Sequence, residues 1–153
     1  MTTKRRKYTL PKKPRKNRFY KYTVPGVKRS DGHGTVTNTV SLSEKRWLDK
    51  LGVPIRGAAI KGFNRVYIVD GFDPRTNTVY EYLGDIFHGA LEAYPTNRDR
   101  IHPWLKKTPN QLYFSTKVRF QTLRDFGFKV FYVWEHEFKR GGLGHYYTGN
   151  SYL

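Results

Sequence analysis

Val69-Asp70-Gly71-Phe72-Asp73-Pro74-Arg75-Thr76-Asn77-Thr78-Val79-Tyr80-Glu81-Tyr82-Leu83-Gly84-Asp85-Ile86-Phe87-His88-Gly89 is the stretch on which the reading of this chain turns. It reads as strand, turn, strand. The run Asp73-Pro74-Arg75-Thr76-Asn77-Thr78 supplies the turn formers expected between paired strands, and Thr78 to Leu83 is rich in aromatic and β-branched residues. If the two strands pair across that turn, Asp70 at the end of one and Glu81 in the middle of the next reach one face of a sheet. A hairpin that gathers carboxylates in this way offers hard oxygen ligands to a divalent metal.

Outward from this hairpin the chain shows a short helix, strands on both sides, and a later helix. Ser41 to Leu51 has a capping serine at its start (Ser41 or Ser43), Gly52 at its end, and Trp47, Leu48 and Leu51 on one face. Glu44 precedes Trp47 and Leu48 by three and four residues, so it falls on that inward face. Ile55 to Ile60 and Arg65 to Asp70 read as strands. Residues 89–107, with Pro95 and Pro103, read as irregular. Thr108-Pro109-Asn110-Gln111 is a helix start, with threonine at the cap, proline at the first position and glutamine at the third. Leu112, Thr116, Phe120 and Leu123 line one face of that helix, and Gly127 ends it. Lys117 and Arg119 read as its solvated side, with phosphate contact as the alternative. Phe128 to Trp134 is almost wholly apolar, as in a strand covered on both faces. The predicted order is helix, three strands, helix, strand: an α/β domain whose last strand lies inside a mixed sheet. We divide the chain into a basic irregular arm over 1–35, one domain over 36–140 and a tail over 141–153.

Composition narrows the function. The formal net charge is +17, and the first thirty residues carry Lys4, Arg5, Arg6, Lys7, Lys12, Lys13, Arg15, Lys16, Arg18, Lys21, Lys28 and Arg29 with no acid among them. Removing those twelve charges leaves +5 for the remainder. An arm of this density suits phosphate, because neutralising phosphates releases counterions. We therefore expect Lys4, Arg5, Arg6, Lys7, Lys12, Lys13, Arg15, Lys16 and Arg18 to contact DNA; the plain alternative is a solvated tail. There is no cysteine, which excludes disulfides and thiolate zinc sites and accords with a reducing, cytoplasmic setting. No apolar run reaches the ~20 residues that span a bilayer, so no membrane partner is expected. The basic N-terminus lacks the apolar segment of a secretory signal.

Phosphodiester hydrolysis needs an activated water and charge neutralisation at phosphorus, which Mg²⁺ held by carboxylates provides. The spacing from Asp70 to Glu81-Tyr82-Leu83 resembles the Asp…Glu-x-Lys pattern of PD-(D/E)XK nucleases, with Leu83 where lysine is usual. Tyr82-Leu83-Gly84-Asp85-Ile86-Phe87-His88-Gly89 is similar to the Gly-x-aromatic-aromatic-His segment of very-short-patch-repair-like (Vsr-like) endonucleases. Four more segments match in order. Ser43-Glu44-Lys45-Arg46-Trp47-Leu48 resembles their first helix, Val69-Asp70-Gly71-Phe72 their aspartate-bearing strand end, Leu123 to Val130 their glycine turn, and Val133-Trp134-Glu135 their closing strand. The likeness covers about residues 41–138 and is nearest to phage and large-virus members of homing or recombination type.

The resemblance implies a restriction-endonuclease-like fold and a Mg²⁺-dependent DNA endonuclease, with Mn²⁺ as a substitute ion. By position, Asp70 is implied as the central metal ligand. Glu81 is implied as a second ligand or as support for the nearby Tyr82 carbonyl, and Glu44 as metal support through water. His88 is implied as general base or phosphate contact, and Glu135 as a ligand in the second rank. A viral origin would place the protein in the host cytoplasm. The zinc site of the repair enzymes needs cysteine, so mismatch repair itself is not expected. Each residue also has a structural reading: Asp70 as a turn residue, Glu81 as a solvent-facing strand residue, His88 as a capping histidine, Glu135 and Glu137 as strand-end charges. Asp73 reads as a turn former, and His102, His136 and His145 show no metal-ligand spacing. Two other functions stand beside the endonuclease: a structure-specific nuclease acting on junctions or flaps, and a basic nucleic-acid-binding protein without catalysis. Monomer and homodimer both remain open.

Overall fold

The computed structural model describes residues 7–8, 21–23, 40–62, 65–149 and 153. Its body is a five-strand mixed sheet flanked by helices. In chain order these are α1 (Leu42–Leu51), β3 (Ile55–Lys61), β4 (Val66–Asp73), β5 (Thr78–Leu83), α2 (Asp85–His88), α3 (Pro109–Asp125), β6 (Lys129–Trp134), α4 (Glu135–Lys139) and β7 (His145–Tyr146). Two short strands, β1 (Lys7–Tyr8) and β2 (Lys21–Thr23), continue the sheet beyond β3. The strands lie side by side in sequence order. All neighbours are antiparallel except β5 and β6, which run parallel from Thr78↔Lys129 to Leu83↔Trp134. A parallel pair needs a crossover, and α3 provides it.

Alternation along the central strands sorts the core into two faces. Val79 and Leu83 of β5, with Val130, Tyr132 and Trp134 of β6, pack with Phe120 and Leu123 of α3. The residues between them, Tyr82 and Val133, pack with Trp47 and Leu48 of α1, and Tyr80 and Phe131 add to that side. The sheet is thus a layer between α1 and α3. Trp47 is fully buried, and its Nε1 donates to the Leu143 carbonyl at 2.8 Å, which ties the C-terminal segment to α1.

The helix termini follow the sequence signals. Ser41 accepts from the Glu44 amide at 3.0 Å and Gly52 closes α1 in the left-handed region at φ 65°. Thr108 and Gln111 form the reciprocal cap of α3.

Several expectations need correction. The segment expected as a tail over 141–153 contains β7, which pairs with β6, and Tyr147, which is buried against Phe120. The strand over Phe128 to Trp134 is therefore not the last one, and it lies inside the mixed sheet as expected. The region expected as irregular over 1–35 contains β1 and β2. The arm residues Lys4, Arg5, Arg6, Lys12, Lys13, Arg15, Lys16 and Arg18 lie outside the described residues. Two helices, α2 and α4, went unpredicted. Among the described residues no helix is long and apolar enough to cross a membrane.

Candidate active site at the β4–β5 split

Asp70 sits where two ladders break. Between β3 and β4 the register runs Ile55↔Phe72 and Arg56↔Gly71, skips Gly57 and Asp70, and resumes at Ala58↔Val69. Gly57 is in the left-handed region at φ 58°, a conformation that costs glycine little and other residues more. The distortion reverses the alternation: Ile55 and Phe72 face α3 before it, and Ala58, Ile60, Tyr67 and Val69 face α3 after it. Between β4 and β5 pairing covers only Gly71↔Tyr80, Phe72↔Val79 and Asp73↔Thr78. Beyond Gly71 the strands part, and the Asp70 side chain enters the gap. Its Oδ2 accepts from the Tyr82 amide at 2.7 Å, replacing a ladder bond that β4 no longer supplies. Among the described residues no hydrogen bond reaches Oδ1.

Glu81 is the next residue in the gap. It lies on the α3 face of β5, its side chain 6% exposed, and meets Arg119 of α3. Arg119 Nη2 donates to Glu81 Oε1 at 2.7 Å and Nε to the same oxygen at 3.1 Å. Nη2 also donates to the Ile68 carbonyl, another β4 group left unpaired by the split. The Tyr67 ring lies 5.7 Å below the guanidinium. The expectation of a solvated Arg119 is corrected: it is the cation that closes the gap. The signal was present in the helical period, since Arg119 is three residues after Thr116 and adjacent to Phe120, at the margin of the buried stripe.

Electrostatics join these groups to Glu44. Burial, then the Glu81 and Glu44 carboxylates, push Asp70 well above the usual carboxylate range, against the Tyr82 amide and Arg119. Glu81 is raised by burial, with Arg119 opposing. Glu44, half-buried on α1, is raised by burial in the first place and by Glu81 to a lesser degree. Three carboxylates therefore share one field on a strongly basic chain, which is the environment a cation would relieve.

His88 reaches the site from the last position of α2. Gly89 ends that four-residue helix at φ 71°, and a Cβ on Gly89 would meet the Pro109 carbonyl oxygen, so the glycine lets α2 sit on the start of α3. His88 Nδ1 is 2.9 Å from Thr116 Oγ1, and that hydroxyl donates to the Leu112 carbonyl at 3.0 Å. With its one proton committed, Thr116 accepts from Nδ1–H, which leaves Nε2 with the lone pair. Burial, reinforced by Arg119, lowers His88 to about 4. The ring is neutral at pH 7 and presents an acceptor nitrogen.

The remaining candidates have structural partners. Asp73 accepts from the Arg75 amide at 2.9 Å and pairs with its guanidinium at 3.1 Å, as expected of a turn former. Glu135 at the start of α4 pairs with Lys139 at 2.6 Å and accepts from the Asp85 amide at 3.3 Å. Asp85 holds His136 Nδ1 at 2.8 Å, and Glu137 lies 3.1 Å from His145 Nε2. These links fasten α2 and α4 across the ends of the parallel strands.

Among the described residues no group of three or more His, Asp or Glu side chains is gathered so as to hold a metal ion. Mg²⁺ does not require such a cage, because it keeps several waters and is held by one or two carboxylates with substrate phosphate. The open Oδ1 of Asp70, beside two carboxylates that raise its proton affinity, fits that ion's chemistry. No family model, no curated protein and no solved structure matches this chain.

Proposed function

We propose that the protein is a metal-dependent DNA endonuclease of the Vsr-like branch of the PD-(D/E)XK nucleases. The observation that carries this reading is the Asp70 carboxylate in the split between β4 and β5, one oxygen held by the Tyr82 amide and the charges of Glu81 and Glu44 bearing on it, in a chain of net charge +17. A carboxylate whose proton affinity is raised by burial and by two neighbouring carboxylates costs stability at neutral pH, and on a strongly basic chain its use is to hold a cation. A bound Mg²⁺ or Mn²⁺ supplies charge neutralisation at the phosphorus and acidifies a water.

The chain's own groups do the rest. Asp70 would hold the ion, and Glu44 on α1 would support it. His88 Nε2 accepts a proton from the attacking water or a hydrogen bond from the phosphate's surroundings, and Thr116 fixes the ring in the tautomer this requires. Glu81 completes the carboxylate set and is held by Arg119. The basic arm tracks the DNA backbone without reading sequence. With one such site among the described residues, a monomer would cut one strand per binding event, and cutting both strands would take a dimer or two binding events.

Cleavage of supercoiled plasmid tests the reading. Wild-type protein with Mg²⁺ or Mn²⁺ should convert plasmid to nicked or linear product. EDTA should stop the reaction, and Asp70→Ala should lower the rate by at least ~100-fold while DNA binding is kept or strengthened, since a negative charge is removed. Cutting by Asp70→Ala at the wild-type rate would overturn the site. Tight binding with no metal-stimulated cutting of plasmid or branched DNA would favour a binding protein without catalysis.

A further inference from the structure

Arg119 is not explained by the nuclease pattern, which calls for a lysine at the place taken by Leu83. Leu83 is fully buried in the α3-side core and brings no charge to the gap. The only cation in contact with Glu81 among the described residues comes instead from α3, across the layer. It is fixed on three sides: by Glu81 Oε1, by the Ile68 carbonyl, and by the Tyr67 ring. Leaving Glu81 would strand a carboxylate that is 6% exposed and a strand carbonyl that has lost its ladder partner. The ion pair therefore stays made when a metal arrives.

We propose that Arg119 is a positioning residue that sets the charge of the site: by neutralising Glu81 it confines the divalent cation to Asp70, so that the site holds one ion and Glu81 is not a direct ligand. This rests on the nuclease reading and refines it. Asp70 is half-buried with one oxygen open, whereas Glu81 already has a permanent countercharge and gains little from a dehydrated ion. Removing Arg119 returns a full negative charge to the gap beside Asp70 and Glu44. Removing Arg119 and Glu81 together leaves the net charge of the site as it is.

Titration calorimetry with MnCl₂ on the full chain reads this without DNA. The wild type is expected to bind one Mn²⁺, and Asp70→Asn to bind at least ~10-fold more weakly. Arg119→Gln should bind ~10-fold more tightly than wild type, because the Glu81 charge that bears on Asp70 is no longer neutralised. The double variant Arg119→Gln with Glu81→Gln should return to within ~3-fold of wild type, and its neutral pair avoids a stranded buried charge if the single variant fails to fold. A double variant as weak as Asp70→Asn would make Glu81 a ligand and overturn the proposal. A folded Arg119→Gln that binds no more tightly than wild type would overturn it as well. Wild-type protein that binds no Mn²⁺ and cuts no DNA would overturn the nuclease reading itself, whereas wild-type binding with the wrong order among the variants removes only the role given to Arg119.

Discussion

His88 is costly to bury, and the cost has a measurable sign. Its folded value of about 4 lies below the ordinary 6.5, so between those limits the unfolded chain binds a proton that the folded chain refuses. Stability from this group is fully present above about pH 6.5 and is lost as pH falls toward 4, to a total of about 3 kcal/mol. Asp70 acts in the opposite sense, since its raised value favours the folded state as acid is added. Denaturant unfolding of wild type and His88→Asn from pH 7 to pH 4.5 separates the two. The wild type should lose stability more steeply than the variant across that window. Parallel pH profiles would show that the ring is not held neutral. At this scale the sequence singled out Asp70, Glu81 and His88, because carboxylates and a histidine on and after a hairpin are conspicuous, and Glu44 through the apolar face of α1. It did not disclose the partners. That Thr116 fixes the His88 tautomer, and that Arg119 fills the gap, depends on α3 crossing the sheet at one particular height, which no local pattern records.

Among the elements, α1 and β4 make the approach on which Glu44 depends. Gly71 lies under α1, and a Cβ there would come within 2.8 Å of Val53 Cγ1 and 2.9 Å of Leu48 Cδ2. Gly71→Ala must push α1 outward or strain those side chains, at a cost of about 1–3 kcal/mol. Because Glu44 rides on α1, plasmid nicking should fall further than the loss of folded protein explains, measured at a temperature where the variant remains folded. Nicking that tracks the folded fraction alone would show that Glu44's position is not critical. The elements longer than about two turns or five strand residues were legible: α1 and α3 through their caps, β3 to β6 through their apolar and β-branched runs. The missed ones are short. The four residues of α2, the five of α4 and the two of β7 are too few to show a period, and they are held by contacts distant in sequence, such as Asp85 with His136 and Tyr147 with Phe120. The reversal at Gly57 and Asp70 was equally hidden, since a glycine in a strand does not declare which way the chain turns.

Over the whole molecule, a chain of net charge +17 carries a small acidic centre at the β4–β5 split, and the raised proton affinity of Asp70 there opposes folding at neutral pH. Proteins commonly give up stability at sites they use, and the proposed cation site predicts that pattern here. The most direct test needs no knowledge of the DNA target: melting temperatures of wild type and Asp70→Asn at pH 7.5, each in EDTA and in Mg²⁺. In EDTA the variant should melt higher, because it removes a half-buried, repelled charge while its amide oxygen still accepts from Tyr82; a gain of about 1–2 kcal/mol corresponds to roughly 2–8 °C for a domain of this size. Mg²⁺ should raise the melting temperature of the wild type and leave that of Asp70→Asn unchanged. Equal responses to Mg²⁺, or a variant that melts lower than wild type in EDTA, would contradict a cation site at the β4–β5 split.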